Sequence, residues 1–202
     1  MRTISTHRAA RIFAAIAYLS IFVACSTPAP EPATYLLRGE PLETNGRVDM
    51  SVRVGLGRLV VAPYLLSNTG IVIEVEPGEV RAARQHRWAE PLDAGLRWFL
   101  RSEIARSYEG EIGGGLGDRT DWDYTIDVYI DRFHGTMSGT ALLEASFVIR
   151  PSDRSEASTE YRFSRSKDLP EEGYVALVEA ERSLASELGA SIAVALREIA
   201  TP

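Results

Sequence analysis

Cysteine and lysine are nearly absent, with one of each, Cys25 and Lys167, in 202 residues. A lone cysteine excludes an intramolecular disulfide and a cysteine-built metal centre. Histidine is also scarce (His7, His86 and His134), so a histidine metal cluster is out of reach. The usual base for a serine or cysteine nucleophile is in short supply for the same reason. No Gly-x-Ser-x-Gly elbow, His-Glu-x-x-His helix or acidic calcium loop occurs. Cations are outnumbered, 22 against 28 acidic residues, for a net charge of −6. Phosphate binding needs the opposite balance, so nucleic acid is excluded as the main partner. Twenty-one arginines to one lysine is a compositional habit without functional content. What remains, 45% hydrophobic and 25% charged residues, is the balance of a folded globular chain.

The first acidic residue is Glu31, whereas Arg2, Arg8 and Arg11 precede an apolar run over residues 12–24. A positive flank, a short apolar core and small residues at its end are the three parts of a secretory signal. About 13 residues fall short of the roughly 20 that cross a bilayer as a helix. Phe22-Val23-Ala24-Cys25 resembles the bacterial lipobox, with Phe22 in place of the usual leucine. The resemblance implies cleavage after Ala24 and acylation of Cys25, whose thiol is the group that diacylglycerol alkylates. It also implies that Ser26, where aspartate would retain a lipoprotein at the inner membrane, sends the protein to the outer membrane. Loss of residues 1–24 removes three arginines and takes the charge from −6 to −9. Three acyl chains anchor a protein durably, since two signals already suffice. The expected organisation is a signal over 1–24, a tether over 25–33 and one domain over 34–202. Pro28, Pro30 and Pro32 stiffen the tether into an extended strap with a reach of roughly 25 Å.

In the body, the first ordered element is expected at residues 35–38. Tyr124, Ile126, Val128 and Ile130 alternate with polar residues, as do Leu143, Ala145, Phe147 and Ile149. Both runs predict half-buried strands, joined by a turn over 135–139. Tyr161 and Phe163 predict a third. Upstream, the Val/Ile-rich stretches 52–62 and 71–75 predict strands, with a Pro77-Gly78 turn before 79–83. Gly55 and Gly57 point to a bulge or a close backbone approach. Residues 90–108 carry Leu92, Leu96, Phe99, Leu100 and Ile104 at helical spacing, with Pro91 in the first turn. Residues 173–200 carry a second stripe, Leu177, Leu184, Leu188, Ile192, Leu196 and Ile199. The order strands, helix, strands, helix predicts an α/β domain, a mixed sheet with two long helices packed on it. That order alone leaves a two-layer α+β arrangement equally open.

His86 reads as part of a polar connector and His134 as a strand-end residue. Asp118, Asp121 and Asp123 around Trp122 raise the question of a cation, but lack the central glycine and closing glutamate of a calcium loop. They read as a solvated loop. The glycines of 113–117 follow a helix and open none, so they do not make a phosphate cradle. Trp88, Trp98 and Trp122 read as packing residues, Trp98 on a helix flank. Neither a cofactor nor a metal is expected.

Several passages in order resemble the ABC-type transport auxiliary lipoproteins, the PqiC-like family. The most specific is Trp88-Ala89-Glu90-Pro91-Leu92, which is similar to that family's helix start. Tyr35-Leu36-Leu37, the stretch from Val60 to Leu65, Arg132-Phe133-His134-Gly135 and the stretch from Gly173 to Val178 fall in compatible positions. Residues 66–70 depart from it. The resemblance implies a Rossmann-like three-layer sandwich. It further implies a non-catalytic subunit at the periplasmic face of the outer membrane. Its partners would be an MCE-domain tunnel protein and membrane transporter components that move phospholipid between membranes, with a homo-oligomeric ring as one form of assembly. The competing expectations are a lipid carrier with its own apolar pocket and a metal-dependent hydrolase using Asp118, Asp121 and Asp123.

Overall fold

The computed structural model describes residues 31–39, 52–67, 69–110, 112–114, 121–153 and 157–200. Cys25, Ala24, Ser26 and Asp118 lie outside them. Eight strands and three helices follow one another as β1 Ala33–Tyr35, β2 Val54–Val61, α1 Pro63–Leu66, β3 Gly70–Glu76 and β4 Glu79–Trp88. Then come α2 Leu92–Tyr108, β5 Ile112–Gly113, β6 Tyr124–Thr136, β7 Thr140–Pro151, β8 Thr159–Asp168 and α3 Tyr174–Ala200. All eight strands join one mixed sheet, as the α/β expectation requires.

The long β6 organises it. Along one edge β6 pairs in parallel with β2 and, nearer its end, with β3; along the other it pairs antiparallel with β7, which carries β8. Beyond β3 lie antiparallel β4 and then β1, parallel to β4. Helix α2 covers β2 and β5, and α3 covers β6, β7 and β8. The two helices touch and run the same way, Ser186 Oγ donating to Glu103 Oε2 at 2.6 Å and Arg197 reaching the Ser107 carbonyl. Both predicted stripes are the buried ones, with Leu96, Leu100, Ile104, Leu184, Leu188, Ile192 and Leu196 in the core.

Two bulges set the details. In β6 the buried side chains Ile126, Val128 and Ile130 are followed by Phe133, so the alternation slips by one residue. The register shift between Ile130 and Arg132, opposite Ala145 and Glu144, accounts for it. In β2 the register shifts between Leu56 and Leu59, in agreement with the reading of Gly55 and Gly57. A Cβ on Gly57 would come within 2.5 Å of Asp127 Oδ1, and one on Gly55 within 2.6 Å of the Trp122 ring.

Local pattern placed several features imprecisely. The first strand begins at Ala33, ahead of Tyr35, because β1 takes its ladder from β4 rather than from its own apolar residues. Strand β4 runs through Gln85-His86-Arg87, which the charge of that stretch disguised as a connector. Pro91 caps α2 from outside with ψ 130°, and the helix proper starts at Leu92. The residues after α2 include the two-residue strand β5. His134 lies near the end of β6, as its place before Gly135 predicts, and is buried there.

Candidate functional site

The residues around β1 form a latch. Tyr35 O accepts the Ala89 N–H at 2.8 Å. Arg38 forks onto Glu90, its Nη2 donating to Oε2 at 2.6 Å and its Nη1 to Oε1. Arg182 Nη2 on α3 donates to Arg38 O at 2.8 Å. Between these polar ties Leu37 is buried, beside Gly95 in the first turns of α2. On the other side the Tyr35 hydroxyl bonds His86 Nδ1 at 2.9 Å, and the His86 ring stacks on Tyr174 with centroids 4.1 Å apart. Three elements distant in sequence, β4, α2 and α3, thus hold β1 and the residues that follow it.

The five-residue segment Trp88-Ala89-Glu90-Pro91-Leu92 is the core of this latch, and each residue has a separate task. Trp88 closes β4 with its ring stacked on Phe133, centroids 6.2 Å apart. Ala89 supplies the N–H to Tyr35, Glu90 the carboxylate to Arg38, and Pro91 the turn out of the strand. Leu92 is the first buried residue of α2. The ring and the apolar stem are set by burial, the carboxylate by the arginine it meets.

The acidic residues near Trp122 have another role. Asp123 accepts from Arg53 N, Nε and Nη2 at 2.8, 3.2 and 2.8 Å, and Asp121 bonds Arg53 Nη1. The Arg53 hydrogen bonds hold the Asp123 carboxyl below the usual aspartate range. Their oxygens are engaged by a cation already present in the chain. Among the described residues no three His, Cys, Asp or Glu side chains gather into a metal-binding group.

Two polar residues that the sequence pattern did not single out are buried in the sheet and helix layers. Asp127 is on the β6 face opposite the helices and supports the β2 bulge. It accepts the Arg58 N–H at 2.8 Å, Arg58 Nε at 3.1 Å and Arg150 Nη2. Burial alone would raise its pKa; the Arg58 and Arg150 hydrogen bonds outweigh it and hold the carboxyl below its usual range. Glu181 on α3 is buried with Oε2 unpartnered, and desolvation drives its pKa well above the ordinary value. His134 lies edge-on to Tyr64, whose phenol burial pushes up to about 12. Trp98, read from the sequence as a packing residue, lies on the flank of α2 and is 50% exposed.

The described residues thus form one mixed sheet whose first strand, β1, is latched by β4, α2 and α3. Residues 35–193 match the family described as the ABC-type transport auxiliary lipoprotein component, and the chain belongs to it. Membership makes it a lipoprotein of the cell envelope that assists transport. No curated protein matches the chain. Among solved structures, an uncharacterized protein is similar with a TM-score of 0.68 at 21% identity, covering 85% of this chain and 100% of its own. A Xanthomonas campestris protein of the DUF330 family follows at a TM-score of 0.58 and 15% identity, covering 81% and 91%. The PelC dodecamer of Paraburkholderia phytofirmans is more remote, at 0.39 and 13%, covering 73% and 93%. At these identities the likeness is one of fold.

Proposed function

We propose that the chain is a non-catalytic outer-membrane lipoprotein subunit that docks or assembles an MCE/ABC-type transporter for phospholipid trafficking between envelope membranes. Cleavage after Ala24 frees Cys25 for acylation, Ser26 directs release to the outer membrane, and the strap hands the anchor to β1. The observation that carries this reading is the family match beginning at residue 35, directly after a proline strap and its single cysteine. The partners are an MCE-domain tunnel protein and the transporter's membrane components, with assembly of several copies into a ring as part of the same role. A metal-dependent hydrolase has little to stand on, because Asp121 and Asp123 are bound to Arg53.

The test is Cys25→Ala with the leader retained. The expected outcome is a folded body released from the membrane and a transporter null phenotype. Full complementation by a soluble periplasmic Cys25→Ala protein would overturn the reading.

A further inference from the structure

The direction of β1 decides which end of the body meets the membrane. Strand β1 is parallel to β4, with Ala33 opposite His86 and Tyr35 opposite Trp88. Traced backwards, the chain therefore runs beside β4 toward the Pro77-Gly78 turn. Glu31 and Pro32, the last described residues on that path, are exposed. Thr34 is level with Arg87 and, across β4, with Gly70. From Gly70 to Glu76, at the turn, six residues of strand extend about 20 Å. The nine residues back from Thr34 to Cys25 reach at most about 32 Å. That reach includes the level of the β3–β4 turn.

The β6–β7 turn stands at the same end. Glu74 is paired with Thr136, and Met137 N donates to Glu74 O at 3.1 Å. The first turn of α3 is there too, since Leu177 packs on Gly135. This end carries Met137 at 70% exposure, the highest of any large apolar side chain described, and Val175 at 63%. The residues of the β6–β7 turn, Thr136-Met137-Ser138-Gly139, are uncharged. The turn is also well held, Thr136 Oγ1 and Ser138 Oγ bonding at 2.8 Å and Leu169 N donating to Gly139 O at 2.9 Å. The neighbouring turn is flanked by Glu76 and Glu79, whose charges are costly in hydrocarbon and stop the contact at the headgroups.

We infer that the end of the sheet bearing the β6–β7 and β3–β4 turns faces the bilayer that holds Cys25, with Met137 and Val175 resting in its headgroup layer as a second contact. The occupant is a phospholipid surface, and the inference rests on the anchored role proposed above. The opposite end, with β5 and the C-termini of α2 and α3, is then presented away from the membrane.

The experiment uses the full acylated protein in vesicles of phosphatidylethanolamine with a minor share of phosphatidylglycerol. A fluorophore is placed at Met137→Cys or, separately, at exposed Ser152→Cys beyond the far end of β7, about 40 Å away along the strand. Acylated Cys25 leaves the introduced thiol as the single labelling site. Headgroup-level nitroxide lipids are expected to quench the label at 137 and to leave the label at 152 unquenched. Quenching at 152, at both or at neither, while the protein floats with the vesicles, overturns the orientation and leaves the anchor intact. Failure to float overturns the anchor and the orientation with it.

Discussion

Asp127 and Glu181 are both buried carboxyls, yet their surroundings push them in opposite directions. Asp127 has three donors from Arg58 and Arg150 and a lowered pKa; Glu181 has desolvation alone and a raised one. The stability from Asp127 is therefore present above the usual aspartate range and is lost as pH falls through its depressed value. Glu181 acts the other way. Its folded form holds the proton more tightly, so stability is greatest below the usual glutamate range and declines as pH rises toward the elevated folded value, by at most ~1.4 kcal/mol per pH unit. Urea unfolding across pH is expected to show a falling limb above the usual glutamate range that Glu181→Gln flattens. Asp127→Ala is expected to cost about 1–3 kcal/mol at neutral pH, because the Arg58 N–H in the bulge is left without its acceptor. An unchanged slope in Glu181→Gln would show that this carboxyl is not the source of the decline.

At the scale of elements, the two long helices owe their contact to a glycine. A Cβ on Gly189 would meet Glu103 Cβ at 2.6 Å and the Glu103 backbone carbon at 3.3 Å. Backbone cannot swing away as a side-chain tip can. Gly189→Ala is expected to destabilise by roughly 1–3 kcal/mol despite alanine's better helix propensity. Thermal unfolding read by circular dichroism checks this, and a raised midpoint would mean the helices separate without loss. Both stripes of apolar residues were readable at 3.6-residue spacing because each lies along one continuous segment. The glycine that lets the stripes meet was invisible as such, since its neighbour is 86 positions away in the chain.

For the molecule as a whole, the proposed strap matters through its length and through the fixed strand it leads into. The Tyr35, Arg38, Glu90 and Arg182 ties make β1 part of the body. Inserting ten Gly/Ser residues after Pro30 adds up to roughly 30 Å of reach. The expected outcome is retained membrane fractionation and reduced transporter complementation, because the body is no longer kept against the bilayer. Full complementation by this insertion variant would show that distance from the membrane is not part of the function.

Pattern along the chain was enough to find the two helices, most of the strands and the family, but not the layering, because periodicity and the Trp88–Leu92 segment are local properties. The resemblance at that segment was legible as letters, while its work as a latch on β1 was not. Burial of Asp127 and His134, the β6 slip in phase and the inclusion of His86 in β4 were settled by tertiary structure. Each depends on a partner strand or side chain brought alongside from far along the sequence. The direction of β1 belongs to that second group as well, since its parallel pairing with β4 sets it.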